Sequence, residues 1–376
     1  MFASAENSSP VLKGLPIEEL EGLAESLGHS SFRGRQLFLW INQKRVSDFS
    51  EMTNLSKSFR DELAHRFTLP KLKVEVAHES ADGTVKYLVT LEDGQTVESV
   101  YIPAKDRATL CISTQVGCKM ACRFCATGYM GFIRNMKSWE IVDQLISVPT
   151  PKPVTNIVVM GMGEPFDNYT EVRKALQIFQ HPNGFQIGKK HITVSTVGVT
   201  PVIQQFIDDD LGMLAISLHG TTEEQRLKIM PINQKYPLEE LMTVCRNLRL
   251  KGRKRITIEY LLIDGINDSD EDARRLAKLL AGIPVKINLL AYNENPFVEF
   301  KRPSEERVLR FQKILMDRYY TVTYRRSRGA MWQRPVVSCA RNSKKVWRIL
   351  SRFLSQRLQL RTEPFPLDHF FCDGTF

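Results

Sequence analysis

The chain has 376 residues, 43% hydrophobic and 25% charged, the proportions of an ordinary soluble globular protein of two domains, or of one large barrel with an appendage. The opening MFASAENSSPVLKG lacks a basic stretch followed by an apolar one, and no run of about 18 apolar residues occurs; neither a secretory signal nor a membrane span is expected, and a cytoplasmic location is. With 52 Lys+Arg against 42 Asp+Glu the formal net charge is +10, a balance that attracts phosphate backbones.

From about Pro16 to Leu69 apolar residues recur at helical spacing: Leu20, Leu23 and Leu27, then Phe38 to Ile41, then Leu55 to Phe67. Ser30 and Ser31 fit a helix start and Pro70 ends the run, which predicts a small helical domain over residues 1–71. Its aromatics Phe32, Phe38 and Trp40 interleave with Arg33, Arg35 and Lys44, and their expected place is mostly the core. Residues 72–104 alternate instead, with Val74 and Val76, Lys86 to Leu91, a turn-like Glu92-Asp93-Gly94, and Thr96 to Ile102. That pattern predicts a connecting β-hairpin.

Beyond it, β-branched runs at Thr109–Ser113, Ile157–Met160, Ile192–Ser195, Met213–Leu218, Ile256–Leu262, Val285–Leu290 and Thr321–Tyr324 alternate with helical stretches. Among the latter are Tyr169–Gln180, Leu238–Leu250, Asp270–Leu280 and Ser304–Tyr319. Such alternation implies right-handed βαβ crossovers and a parallel sheet. About six or seven units fall short of a complete TIM barrel, so the expected fold class is α/β, with a partial, open β/α barrel over residues 105–330. Residues 331–376 are expected to hold a C-terminal loop and a basic helix, with a stripe of Arg341, Lys344, Lys345, Arg348, Arg352 and Arg357. Two further knots are Lys251, Arg253, Lys254 and Arg255, and Arg325, Arg326 and Arg328. Each alone reads as a solvated face; together, on a basic chain, they point to a nucleic-acid partner.

Seven cysteines without an export signal argue against a disulfide framework and for metal or redox chemistry. Cys118, Cys122 and Cys125 form a C-x3-C-x2-C array in a loop after the first barrel strand. Soft thiolates at this density suit zinc or an iron–sulfur cluster. Structural zinc sites close with a fourth ligand, usually in two separated pairs, and no second C-x2-C pair exists here. Three thiolates holding a four-iron cluster leave one iron open to a substrate. A zinc knuckle completed by a remote Cys or His, or plain core cysteines, are the alternatives. In open α/β folds the ligand sits at the carboxyl ends of the strands. There the chain carries Gly161-Met-Gly-Glu-Pro165, Ser195, Ser217-Leu-His219 and Asn293.

The stretch Cys111-Ile-Ser-Thr-Gln-Val-Gly-Cys-Lys-Met-Ala-Cys-Arg-Phe-Cys-Ala-Thr-Gly128 resembles the signature of the radical SAM superfamily. Within that superfamily it resembles the RlmN/Cfr-type RNA adenine methyltransferases. The likeness continues through Gly161–Pro165, Thr193–Thr196, Leu214–His219, Met230-Pro-Ile-Asn233 and Lys286–Leu290, from about residue 10 to 329. It implies that Cys118, Cys122 and Cys125 bind a [4Fe-4S] cluster whose fourth iron chelates S-adenosyl-L-methionine. Gly163 and Glu164 then meet the amino end of that ligand, glycine because a Cβ would block close backbone approach. Ser195, Ser217, Leu218, His219 and Asn293 match further ligand positions, with strand-end capping the plain alternative for the Ser–Leu–His run. The implied activity is methylation of an adenine carbon, C2 or C8, in ribosomal RNA and also tRNA. A flavodoxin-type electron donor and a monomeric enzyme are expected with it.

The implied chemistry is a covalent relay, because an electron-poor aromatic carbon cannot be methylated by simple displacement. A cysteine near the C-terminus first takes a methyl group, and a second S-adenosyl-L-methionine is cleaved to a 5′-deoxyadenosyl radical that removes hydrogen from it. The resulting methylene radical adds to the base. A second cysteine resolves the adduct as a disulfide, and a general base takes the ring proton. Cys111 matches the resolving cysteine and Glu98 the proton acceptor; a buried core thiol and an ordinary strand residue are the plain alternatives.

One stretch departs from the family pattern. After Arg326-Ser-Arg-Gly329 the chain reads Ala330-Met-Trp-Gln-Arg-Pro-Val-Val-Ser-Cys-Ala340, and ungapped counting puts Val336 where the methyl-carrying cysteine belongs. Either a three-residue insertion lets Cys339 serve, which loops tolerate, or the nucleophile is lost. The first is the expectation. The second would make the chain a cluster-containing RNA-binding paralogue without the relay; a radical SAM enzyme on another substrate is a third possibility.

Overall fold

The computed structural model describes residues 9–252, 254–294 and 298–325. Three helices open the chain: α1 (Ile17–Ser26), α2 (Ser31–Leu39) and α3 (Lys57–Arg66). Each buries one stripe, with Leu20 and Ala24 from α1, Leu37 and Phe38 from α2, and Phe59 and Leu63 from α3. The Ser56 hydroxyl caps α3 by accepting from the Phe59 amide. Phe38 is fully buried and Trp40 half-buried, whereas Phe32 is exposed, so the aromatics do not all share the core.

Strands β1 (Lys73–Glu79), β2 (Val85–Thr90), β3 (Thr96–Pro103) and β4 (Ala108–Cys111) pair antiparallel in succession. The hairpin expected over 72–104 is thus three strands, continuous with the barrel sheet through β3 and β4. A separate ribbon of β5 (Gln115–Gly117) and β6 (Phe132–Asn135) brackets α4 (Ala126–Tyr129). After α5 (Ser138–Ser147) come β7 (Asn156–Val159), α6 (Tyr169–Gln180), β8 (Ile192–Thr196), α7 (Thr200–Asp209) and β9 (Met213–Ser217). Then follow α8 (Glu223–Ile229), α9 (Leu238–Asn247), β10 (Ile256–Leu262), α10 (Asp270–Leu279), β11 (Val285–Ala291), α11 (Glu305–Met316) and β12 (Val322–Arg325).

The sheet order is β1-β2-β3-β4-β7-β8-β9-β10-β11-β12, parallel from β4 onward. Among the described residues the ladder does not return from β12 to β4, so the barrel is open, as the strand count predicts. Alternation along each strand sorts the residues by face. Ile157, Val159, Ile192, Val194, Leu214 and Ile216 are buried on one face, while Val158, Thr193, Ser195 and Ser217 stand half-buried on the other, the concave one. No described helix is long and apolar enough to cross a membrane.

Helix α5 is buried over eight successive positions, and its polar residues tie the N-terminal segment and the sheet together. Gln144 accepts from the Ser99 hydroxyl at 2.8 Å and donates to the Ser113 carbonyl at 2.9 Å. Asp143 accepts from Lys13 Nζ at 2.7 Å and from the Leu72 amide at 2.8 Å. Lys13 and Asp143 side chains are 2% and 0% exposed, so neither charge has water to fall back on. Asp143→Ala is expected to cost about 3–5 kcal/mol, because it strands a buried ammonium. The double variant Lys13→Met/Asp143→Leu should regain most of that loss in a denaturant titration; equal losses for single and double variants would contradict the uncompensated charge.

Candidate active site

At the carboxyl ends of the parallel strands lies a cavity of about 420 Å³, a size that suits a cofactor-sized ligand. Cys118, Cys122 and Cys125 line one side of it. The loop that carries them is held at both ends: the Cys118 amide donates to the Gly131 carbonyl at 2.9 Å, and the Arg123 amide to the Ile229 carbonyl at 2.9 Å. Burial pushes the Cys118 thiol up to about 12, partly offset by the Met120 amide facing the sulfur, and raises Cys122 well above its ordinary value. All five described cysteines are free.

Among the described residues no three His, Cys, Asp or Glu side chains converge on a single-ion position, so the three thiols do not form a closed mononuclear site. Three thiols on one cavity, near enough for their charges to reach one another, suit a polynuclear cluster, whose ligands bind separate irons. This donor set, three thiols and no fourth protein ligand among the described residues, fits a [4Fe-4S] cluster that Cys118, Cys122 and Cys125 would hold.

The opposite wall comes from strand ends. After β7 the chain turns through Gly161, Gly163 and Glu164, all on the cavity. Gly163 has φ +101°, and a Cβ there would sit 2.5 Å from Gln115 Cβ, so the backbone needs glycine irrespective of any ligand. Glu164 is 2% exposed and accepts from the Phe166 amide at 3.0 Å and the Val197 amide at 2.9 Å. Burial outweighs these bonds and lifts its carboxyl to about 7. An ammonium group beside it would restore the charged form.

Ser195 is the last residue but one of β8 and Ser217 ends β9, their hydroxyls 3.4 Å apart on the cavity wall. His219 follows at φ +55°, a left-handed conformation rare outside glycine. Its Nδ1 accepts from the Leu261 amide at 3.1 Å, which leaves the proton on Nε2, and burial pulls its pKa down to about 3. The ring is therefore neutral, and it stands on the cavity wall with the Glu259 backbone carbonyl as well as the Leu261 amide in hydrogen-bonding reach. Asn293, past β11, also lines the cavity and accepts from Arg302 at 2.7 Å.

Leu218 is not with them: its side chain is fully buried in the core and it does not line the cavity. Successive strand residues point opposite ways, so Leu218 turns outward between Ser217 and His219. Cys111 and Glu98 are not on the cavity either; they stand on the concave face, near enough for the Glu98 charge to reach Cys111. Burial pushes the Cys111 thiol up to about 12. Cys339, Val336, Cys372 and the third basic stripe lie outside the described residues. Sequence reasoning missed Glu259 and Tyr292 on the cavity wall. Glu259 is a lone carboxylate within the apolar run Ile256–Leu262, and that was a readable signal; it accepts from Asn288 Nδ2 at 2.6 Å.

Comparison with known proteins agrees with this architecture. The family description "Radical SAM superfamily" matches residues 112–277, and "Ribosomal RNA large subunit methyltransferase N-terminal domain" matches residues 11–69. The chain is 48% identical over 319 residues, 85% of itself and 89% of the relative, to the dual-specificity RNA methyltransferase RlmN of Geobacter sulfurreducens. It is 46% identical, over 88% of itself and 94% of the relative, to dual-specificity RNA methyltransferase RlmN 2 of Myxococcus xanthus. A crystal structure of a radical SAM methyltransferase from Sphaerobacter thermophilus superposes with a TM-score of 0.80 at 39% identity, covering 86% of this chain and 97% of that one. A C-x3-C-x2-C loop and polar strand ends facing one cavity, together with this similarity along most of the chain, place it in the RlmN family of radical SAM methyltransferases.

Proposed function

We propose that this chain methylates an adenine carbon, C2 or C8, in ribosomal RNA and also in tRNA, through an S-methylcysteine carried by Cys339. The observation that supports it most is the meeting of three free cluster-spaced thiols and the strand-end polar groups at one cavity. The [4Fe-4S] cluster, when bound, supplies the electron for reductive cleavage of S-adenosyl-L-methionine. The protein's own groups bind and orient. Glu164 takes the ligand's ammonium, and His219 offers its neutral ring. Ser195, Ser217 and Asn293 fix the remaining polar edge, with Gly163 shaping the turn. Leu218 contributes through its backbone, whose carbonyl Arg226 holds at 3.3 Å.

Glu98 takes the ring proton and Cys111 resolves the RNA adduct. Arg123 stands exposed on the cluster loop, beside a Lys119 that pairs with Asp167 at 3.0 Å, and this basic edge suits docking of an acidic flavodoxin-type reductant on a monomeric, cytoplasmic enzyme. We also infer that residues 1–71 and 72–104 serve as RNA-binding appendage and connector, and that 105–330 is the catalytic barrel with 331–376 carrying the methyl-accepting loop.

Nucleoside mass spectrometry of RNA from a deletion strain tests the reading, with complementation by the parent and by Cys339→Ala. Loss of a methyladenosine, restored by the parent and not by Cys339→Ala, is expected. An unchanged profile, beside a brown protein that binds S-adenosyl-L-methionine, would favour the relay-free paralogue that Val336 motivates.

A further inference from the structure

Lys86 of β2 and Glu98 of β3 occupy diagonal positions of an antiparallel ladder that sets Lys86 opposite Val100 and Leu88 opposite Glu98. The next pairing puts Val100 opposite Cys111 of β4. Residues two apart on a strand share a face, so Lys86, Val100 and Cys111 form one row across three strands, with Glu98 beside it on the concave side. Lys86 Nζ lies 3.2 Å from Glu98 Oε1, an ion pair out of line for a hydrogen bond that leaves this buried oxygen with an open acceptor position, and both side chains are only 13% exposed. An ion pair this shielded, fixed by backbone register, differs from a mobile surface pair. Burial raises the Glu98 carboxyl above its ordinary value and Lys86 opposes that rise. Among the described residues, the titratable groups facing Glu98 are Lys86 from β2 and Cys111 from β4.

We propose that Lys86 is a positioning residue for the methyl-transfer relay: its ammonium, paired with Glu98 out of water, keeps that side chain a carboxylate whose open oxygen accepts the ring proton as the RNA adduct is resolved. The C–H bond of the carbon that bears the methylene bridge breaks, its electron pair stays in the ring, the adduct's one unpaired electron is given back to the cluster that the activity supplies, and the proton passes to a Glu98 oxygen. The Cys111 sulfur then bonds to the carrier sulfur, the carrier's C–S bond breaks with its electron pair left on the methylene carbon, and the Cys111 proton goes to that carbon to complete the methyl group, while Lys86 keeps its own protons. This rests on the reading of Glu98 as proton acceptor, so the test separates the two.

The full chain, reconstituted without oxygen, is supplied with S-adenosyl-L-methionine, dithionite and an adenine-containing ribosomal RNA fragment across a pH series. Methyladenosine yield and protein covalently attached to RNA are both measured for Lys86→Gln, Lys86→Arg and Glu98→Gln. Without the ammonium, Glu98 is protonated at higher pH than in the parent. The acid limb of the Lys86→Gln profile should therefore move up by about one pH unit. RNA-linked protein should build up on the acid side and clear as pH rises, and Lys86→Arg should restore the parent profile. Glu98→Gln should stay RNA-linked at every pH.

A Lys86→Gln profile with an unmoved acid limb, beside a trapped Glu98→Gln adduct, would overturn the role of Lys86 and leave Glu98 as acceptor. Normal methylation by Glu98→Gln would overturn the acceptor reading itself. A uniform loss at all pH values with lowered iron content would mark Lys86 as structural and overturn the proposal as well.

Discussion

Alanine at Cys118, Cys122 or Cys125 is expected to drop methyladenosine formation below detection and to strip iron from the reconstituted protein, while the iron-free fold keeps its stability to within about 1 kcal/mol. The three thiols serve the cavity more than the fold. Cys118 and Cys125 are only half-buried, and Cys122 packs in a small satellite cluster with Met120, Ile229 and Met230, apart from the main core. The chain around them is fixed by backbone bonds that alanine preserves, from Cys118 to Gly131 and from Arg123 to Ile229. Cys245 is the control, because it sits 3% exposed in the main core on α9, away from the cavity. Cys245→Ala should load iron fully and lose stability through packing. Iron and sulfide content, read beside denaturation midpoints, separates the two classes. A Cys122→Ala protein with full iron content and turnover would remove that residue from the cluster.

The barrel was legible in the sequence because its strands are short β-branched runs and many of its helices are amphipathic; helix α6 spans Tyr169–Gln180, the stretch the periodicity marks. Helix α5 was missed although Trp139, Ile141, Val142, Leu145 and Ile146 recur at helical spacing; what no pattern shows is that Glu140, Asp143 and Gln144 are buried along with them. The β5–β6 ribbon was missed because strands of three and four residues are too short to show alternation. Within the site, glycines, serines and cysteines at strand ends were readable as exceptions to an apolar pattern. Leu218 was taken from the family motif, and strand alternation sends it to the core instead. The left-handed turn at His219, which aims that ring back at the cavity, has no composition signal, because a positive φ on histidine is imposed by the tertiary contacts of Leu261 and Asn267.

Arg226 gave no sequence signal either, yet Arg226→Met is expected to damage fold and site together. It is fully buried on α8, and its donors are shared among three segments. Nε bonds the Leu218 carbonyl at 3.3 Å, one terminal nitrogen bonds Asn233 Oδ1 at 2.7 Å and the Tyr236 carbonyl at 3.2 Å, and the other bonds the Val197 carbonyl. Those acceptors follow β9, β8 and α8, so one guanidinium staples the rim that carries Ser217, Ser195 and the Met230–Asn233 stretch. Gly220 lets the rim approach, since a Cβ there would lie 2.9 Å from the Arg226 amide. Burial lowers the Arg226 pKa to about 10, still charged at neutral pH, with Glu223 reached through Asn233. Methionine keeps the volume of the stem and leaves these acceptors buried without donors, a loss of about 3–5 kcal/mol.

The same helix ends at Ile229, whose carbonyl holds the Arg123 amide of the cysteine loop. Iron content should therefore fall along with the denaturation midpoint, unlike the cysteine variants, which lose iron alone. Lysine in place of Arg226 keeps the charge but not the planar fork, and should recover only part of each loss. A Met variant that melts and loads iron like the parent would show that the rim is held by the strands themselves.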